Sequence, residues 1–284
     1  MIENDRENDR ENDSLRKKEI DMMQNSLKNL SILDQPLVLE YLFHPRFEDS
    51  LRQARNTRDD IIIPVDGGAQ VGASFHFVRD DAPVILFFHG NGEIVSDYDD
   101  IGSLFNDKGL NFFIVDYRGY GRSTGTASVT SMMKDCLSIF DFVQAYMANM
   151  KLTGPLCVMG RSLGSASAIE LCRIRANDFK CLIIESGFAW VVPLLKKLGI
   201  NTEAIGFKEE HGFENIDKIK TFSKPLLLIH AQFDHIIPFS DGQALFEACV
   251  SRDKTLLEIK GANHNDIFLK GMDTYLAHIK KICL

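Results

Sequence analysis

The sequence predicts an α/β fold: a mostly parallel sheet of about eight strands with helices on both faces and a small cap insertion. Three observations carry this. From residue 84 onwards, short apolar runs (Val84 to Phe88, Phe112 to Val115, Leu156 to Met159, Cys181 to Ile184, Leu226 to His230, Leu256 to Ile259) alternate with amphipathic stretches. Strands that are apolar on both faces belong in a parallel sheet covered on both sides. Next, Gly160-Arg161-Ser162-Leu163-Gly164 follows the Leu156 to Met159 run directly and leads into the small-residue stretch Ser165-Ala166-Ser167-Ala168-Ile169. Lastly, the alternation breaks at about 188–222 and then resumes, which reads as an insertion into a continuing sheet.

The elements follow in order. Residues 3–13 repeat Glu-Asn-Asp-Arg with no apolar side chain. Such a stretch buries too little to offset the entropy of ordering, so residues 1–14 are expected to be a disordered tail and 15–284 a single domain. Ile20, Met23, Leu27 and Leu30 give residues 15–33 some helical spacing. Leu37 to Phe43, Ile61 to Val65 and Val71 to Phe77 read as strands, the last two joined by an Asp66-Gly67-Gly68 turn into an antiparallel start. Asp97 to Lys108 reads as a helix. Val129 to Met150 is a longer one, with Val129, Met133, Cys136, Phe140, Val143 and Met147 on one face. Further helices are expected over Leu163 to Ala176, Gly242 to Val250 and Ile267 to Ile282. Right-handed crossovers place all the strand C-terminal ends, and so the functional site, along one edge.

Composition narrows the function classes. The chain has 284 residues, 45% hydrophobic and 25% charged, ordinary for a soluble globular protein. A net charge of −8 argues against nucleic acid or an anionic membrane as partner. No run is long enough for a membrane span, and the polar N-terminus lacks the apolar core of a secretory signal. The six cysteines (136, 157, 172, 181, 249, 283) are scattered. They read as reduced, buried small hydrophobes in a cytoplasmic protein, and no spacing among them resembles a metal site. No metal or organic cofactor is expected.

The strand–Gly-x-Ser-x-Gly–helix stretch reads as a nucleophile elbow. The turn is so tight that Ser162 takes a strained backbone conformation, and both flanking positions need glycine. The hydroxyl then stands above the sheet at a helix N-terminus, where developing negative charge is favoured. A serine nucleophile needs a base. His264, in the Gly261-Ala262-Asn263-His264-Asn265 loop after the last strand, is placed to supply it, while most of the other histidines read as surface or core residues. The base needs an orienting carboxylate. Asp234 follows the Leu226 to His230 strand; Glu185 and Asp266 are rival acids, and His235 is a rival base. Asp234 is preferred because the order Ser, Asp, His matches the elbow. The oxyanion needs amide donors. Leu163 offers one, and the Asn91 amide in His89-Gly90-Asn91-Gly92-Glu93 the other, with His89 holding that loop.

These stretches, with Asp116-Tyr117-Arg118-Gly119-Tyr120-Gly121-Arg122-Ser123, Glu185-Ser186-Gly187-Phe188 and Asp234-His235-Ile236-Ile237-Pro238, resemble the α/β-hydrolase superfamily. Within it the chain is similar to the serine hydrolases of the Bem46 and abhydrolase-domain group, over about residues 37–283. The resemblance implies that Asp116 to Ser123 is a structural turn. A serine at the elbow argues against haloalkane dehalogenases, which carry an aspartate there. It implies a serine esterase or thioesterase acting on a small-molecule acyl substrate through an acyl-enzyme on Ser162. A peptidase or amidase of the same fold, and a non-catalytic binding member, are the alternatives.

The 188–222 insertion opens on Phe188-Ala189-Trp190-Val191-Val192-Pro193-Leu194-Leu195. It reads equally as an apolar lid over the site or as a helix whose stripe packs on the body. In the lid reading Gly92, Trp190 and Leu194 line the substrate pocket, and so small a cap suits medium acyl chains or short peptides better than long lipids. Arg161, beside the nucleophile, pairs with a carboxylate such as Glu185 or meets substrate; the pairing is preferred.

Overall fold

The structure is a computed structural model that describes residues 30–48 and 58–284. The expected tail and most of the 15–33 stretch lie outside the described residues. The strands are β1 (Arg58–Pro64), β2 (Gln70–His76), β3 (Val84–Phe88), β4 (Asn111–Val115), β5 (Leu156–Arg161), β6 (Leu182–Glu185), β7 (Leu226–Ala231) and β8 (Lys254–Ile259). They form one eight-stranded sheet in the order β1-β2-β4-β3-β5-β6-β7-β8. β1 and β2 pair antiparallel, β2 pairs antiparallel with β4, and every later pairing is parallel. The Asp66-Gly67-Gly68 turn joins β1 to β2 with both glycines at positive φ.

Successive residues of a strand face opposite sides, and the core divides accordingly. Val84, Leu86 and Phe88 join one apolar cluster while Ile85 and Phe87 join the other. Helices α3 (Val129–Asn149), α4 (Gly164–Ile174) and α7 (Phe239–Ala248) cover the first face. Helices α2 (Asp99–Asp107) and α8 (Ile267–Cys283) cover the second. Ser128 caps α3 by accepting from the amide of Ser131 at 3.0 Å. Among the described residues no helix is long and apolar enough to cross a membrane.

One early element differs from expectation. Leu37 to Phe43, expected as a strand, falls instead in and just after helix α1 (Pro36–Leu42). Pro36 fills the first helical turn, where its missing N–H costs nothing. Val38 and Leu42, four apart, then share one buried face. The dense apolar run mimics a strand; the proline decides against it.

The 188–222 segment carries α5 (Val191–Lys197) and a single turn, α6 (Asn215–Lys218). It is fastened at several points. Glu209 accepts from the amides of Val191 and Val192 at 2.6 and 2.9 Å, capping α5. Asp241 accepts from Ala189 N at 2.9 Å, and Asn215 donates to Phe188 O at 3.0 Å. Lys218 meets Glu170 of α4 at 2.5 Å, both buried. Val191 and Leu195 are buried against the body.

Candidate active site

The strand pairing sets the site. Phe88 lies beside Gly160 and Arg161 beside Glu185, so the ends of β3, β5 and β6 align. At the end of β5 the chain turns through Ser162 at φ 51°. The two glycines have the reason expected of them. A Cβ on Gly160 would lie 2.3 Å from Gly164 O, and one on Gly164 would lie 2.2 Å from Phe88 O. No larger residue fits either place, and the strained serine is held by Ser162 N donating to Glu185 O at 2.9 Å.

The structure brings Ser162, His264 and Asp234 together from three separate loops. Ser162 Oγ and His264 Nε2 are 3.1 Å apart, and His264 Nδ1 and Asp234 Oδ2 are 2.7 Å apart. All three are buried. Asp234 Oδ1 accepts from the amides of Ile236 and Ile237 at 3.0 and 2.8 Å. Burial alone would raise this carboxyl, but its hydrogen bonds with His264 and the Ile237 amide hold it below its ordinary value. It stays ionised and fixes the His264 tautomer with the proton on Nδ1 and Nε2 facing the serine. The rivals are occupied elsewhere. Asp266 accepts from Asn263 N at 2.6 Å and meets Lys270, Glu185 accepts from Tyr275 OH at 2.6 Å, and His235 is exposed.

The Asn91 and Leu163 amides lie on the loops that flank the serine, and among the described residues neither donates to a protein acceptor. The Asn91 side chain is tied back: Oδ1 accepts from His44 N and Tyr120 OH, both at 2.8 Å. This orients the loop. His89 is tied into this loop: Tyr117 OH donates to its carbonyl at 2.6 Å, and its Nε2 lies 3.3 Å from Asp116.

Known proteins bear on this arrangement. A family model described as serine aminopeptidase, S33, matches residues 80–205. α/β hydrolase domain-containing protein 17B of Xenopus laevis is 33% identical over 208 residues, 69% of this chain and 65% of that protein. Human protein ABHD12B is 28% identical over 190 residues, 60% of this chain and 51% of its own length. The Pyrococcus furiosus esterase Pf2001 superposes with a TM-score of 0.67 at 16% identity, covering 85% of this chain and 97% of the esterase. The chain belongs to the α/β-hydrolase superfamily. It spans about two thirds of the frog hydrolase and about half of ABHD12B.

Above Ser162 the chain has a cavity of about 240 Å³. Leu42, Leu194, Leu198 and Ile236 form its apolar wall, with His44 and Asn91 on the polar side. Leu194 lines it as expected. Trp190 and Gly92 do not: Trp190 packs half-buried at the start of α5, and Gly92 turns its carbonyl to Arg46 Nε at 2.7 Å. Leu42 and Leu198 were not foreseen. Leu42 was hidden because α1 reads as a strand.

Arg161 forms the preferred pairing and more. Its Nε donates to Glu185 at 3.0 Å, Nη1 pairs with Glu93, and Nη2 donates to His264 O at 2.8 Å. Glu93 in turn accepts from Gly90 N at 2.7 Å and Tyr98 OH at 2.6 Å. One guanidinium thus ties the loop after β3, the elbow and the His264 loop together. Burial opposes the charge on Glu93, but Arg161 prevails and holds that carboxyl below its ordinary value; Glu185, fully buried, is pushed up by desolvation. The role of Glu93 was missed. Its signal was an acid immediately behind the His-Gly-Asn-Gly loop. His230 was missed too: its Nε2 donates to Ile237 O at 2.9 Å, and burial keeps it neutral beside Asp234.

Proposed function

We propose that the chain is a serine hydrolase that cleaves a carboxylic ester or thioester through an acyl-enzyme on Ser162. The observation that carries the reading is the unbroken contact chain Ser162–His264–Asp234 on a strained elbow. In this reading His264 Nε2 takes the Ser162 proton as Oγ attacks the acyl carbonyl. The Leu163 and Asn91 amides receive the oxyanion. Asp234 stabilises the imidazolium, which protonates the leaving alcohol or thiol. Water then enters, His264 removes its proton, and the acyl group departs as a carboxylate. No step calls for a metal or organic cofactor. The 188–222 segment acts as a small cap through Leu194 and Leu198, and the apolar wall takes the acyl chain.

An amidase reading is favoured by the aminopeptidase description of the matching family model. An aminopeptidase needs a carboxylate to receive a free α-ammonium. The one carboxylate lining the cavity among the described residues is Glu93, already held by Arg161, Tyr98 and Gly90. This favours the ester or thioester reading. The deciding experiment is fluorophosphonate labelling of wild type and Ser162→Ala, with a panel of p-nitrophenyl esters and aminoacyl p-nitroanilides. The expected result is labelling and ester turnover in wild type, and neither in Ser162→Ala. Labelling that survives in Ser162→Ala overturns the nucleophile, and faster anilide turnover overturns the substrate class. In the ester panel we expect an optimum at medium chains.

A further inference from the structure

The six cysteines are free and buried, yet they fall into two kinds. Cys136, Cys172 and Cys249 each donate to a backbone carbonyl, of Met133, Ile169 and Phe222, at 3.2, 2.9 and 3.2 Å. Cys157, Cys181 and Cys283 instead face one another, with their three sulfurs all within 4.8 Å. Cys157 is on β5, Cys181 immediately precedes β6, and Cys283 closes the last turn of α8. Positions 157, 181 and 283 are too far apart in sequence for any ligand spacing to show. The fold brings them together in the core on the α2–α8 face.

We propose that Cys157, Cys181 and Cys283 form a binding site for a soft, low-coordinate d10 cation, best matched by Cu(I). Thiolate bonds of about 2.3 Å to a shared centre place three sulfurs about 4 Å apart, within the observed limit. Thiolate donors select soft cations. A structural Zn(II) ion requires four ligands as a rule. The cluster offers three sulfurs and, among the described residues, no fourth His, Asp or Glu atom. Binding of Cu(I) to two thiolates and one thiol releases two protons to solvent and leaves one net negative charge. The neighbouring Lys180 ammonium stabilises it, acting on both Cys157 and Cys181. The bound ion would pin the end of α8 to β5.

The test is an anaerobic titration of the reduced full chain with Cu(I) against the competing chelator bathocuproine disulfonate. The expected result is one Cu(I) withheld per chain, with a thiolate-to-copper absorption band and a raised thermal midpoint. Cys157→Ala, Cys181→Ala and Cys283→Ala should each lose the withheld ion. Cys172→Ala, which removes a buried cysteine outside the cluster, should keep it. Circular dichroism checks that each variant is folded, and Cys283→Ala, at a helix end, disturbs the core least. No withheld ion in wild type, retention in Cys283→Ala, or loss in Cys172→Ala overturns the site. Preferential retention of Zn(II), or a disulfide between any two of the three in the reduced-purified chain, overturns its assignment to a low-coordinate cation.

Discussion

Ser162 and Ser186 end neighbouring parallel strands and share a backbone conformation that serine rarely adopts, with φ at 51° and 45°. Each is held by its amide: Ser162 N donates to Glu185 O and Ser186 N to Ile229 O, both at 2.9 Å. Each has a glycine with no room for a side chain, and a Cβ on Gly187 would lie 2.4 Å from Ile184 Cγ2. The difference is what stands opposite the hydroxyl. Ser162 Oγ faces His264. Ser186 Oγ is fully buried and among the described residues has no hydrogen-bond partner. After Ser162 the chain enters α4 at once; after Ser186 it leaves for the 188–222 segment. A strained serine at a strand end is therefore a consequence of tight parallel-strand exits. The imidazole and carboxylate that the proposed reaction needs stand opposite only the first exit.

The largest effect that tests this contrast is at the two serines. Ser162→Ala should abolish fluorophosphonate labelling and lower ester turnover on the order of a million-fold, while Ser186→Ala labels at the wild-type rate. Labelling that depends on Ser186 would erase the distinction. Next comes the acid. Asp234→Asn should cut kcat about 10⁴-fold through the wrong His264 tautomer, with KM little changed. Glu185→Gln should fall far short of that loss, because Glu185 holds Arg161 and Tyr275 and does not touch His264. An equal loss in Glu185→Gln would move the acid to β6, on the Ser186 side.

Arg161 links the two exits through Glu185, so Arg161→Met measures how far they act as one unit. It strands the buried Glu185 and the half-buried Glu93 carboxylates and should cost about 3–5 kcal/mol in unfolding free energy, read from urea midpoints. Adding Glu185→Gln to Arg161→Met should recover part of the loss; strict additivity would mean the guanidinium does not bridge the strands.

Acid separates the sites further. The folded value of the Asp234 carboxyl lies below its unfolded value, so the native state binds fewer protons there. Its stabilisation is present above the unfolded value of about 3.9 and disappears as pH falls through the folded value. The stability gap between wild type and Asp234→Asn should therefore narrow on acidification from pH 7. A gap that widens would contradict an ionised, His264-bound carboxylate.

What the sequence made legible is what chain order can encode. The elbow, the His89 to Glu93 loop and the His264 loop are each short contiguous strings, and the alternation from residue 84 to 283 announces the parallel sheet. The rest depends on distance in space. Glu93 and Arg161 are 68 residues apart, and His230 acts through a carbonyl seven residues on. Cys157, Cys181 and Cys283 meet only because β5, β6 and the end of α8 converge. Helix α1 failed for a local reason, since apolar density outweighed the helix-start signal of Pro36. Its cost was functional, because Leu42 is part of the pocket wall.

The smallest predicted effect returns to Ser186. Its hydroxyl is buried without a partner, a state that costs about 1–3 kcal/mol in desolvation. Alanine keeps the backbone strain, which depends on having a Cβ, but removes the unpaired group. Ser186→Ala should therefore raise stability by about 1 kcal/mol, roughly 2–4 °C in thermal midpoint for a domain of this size. The same change at Ser162 removes a hydroxyl that has His264 as partner and should bring no such gain. If Ser186→Ala is destabilising, its hydroxyl has a hydrogen-bonding role, and the two exits are more alike than their geometry indicates.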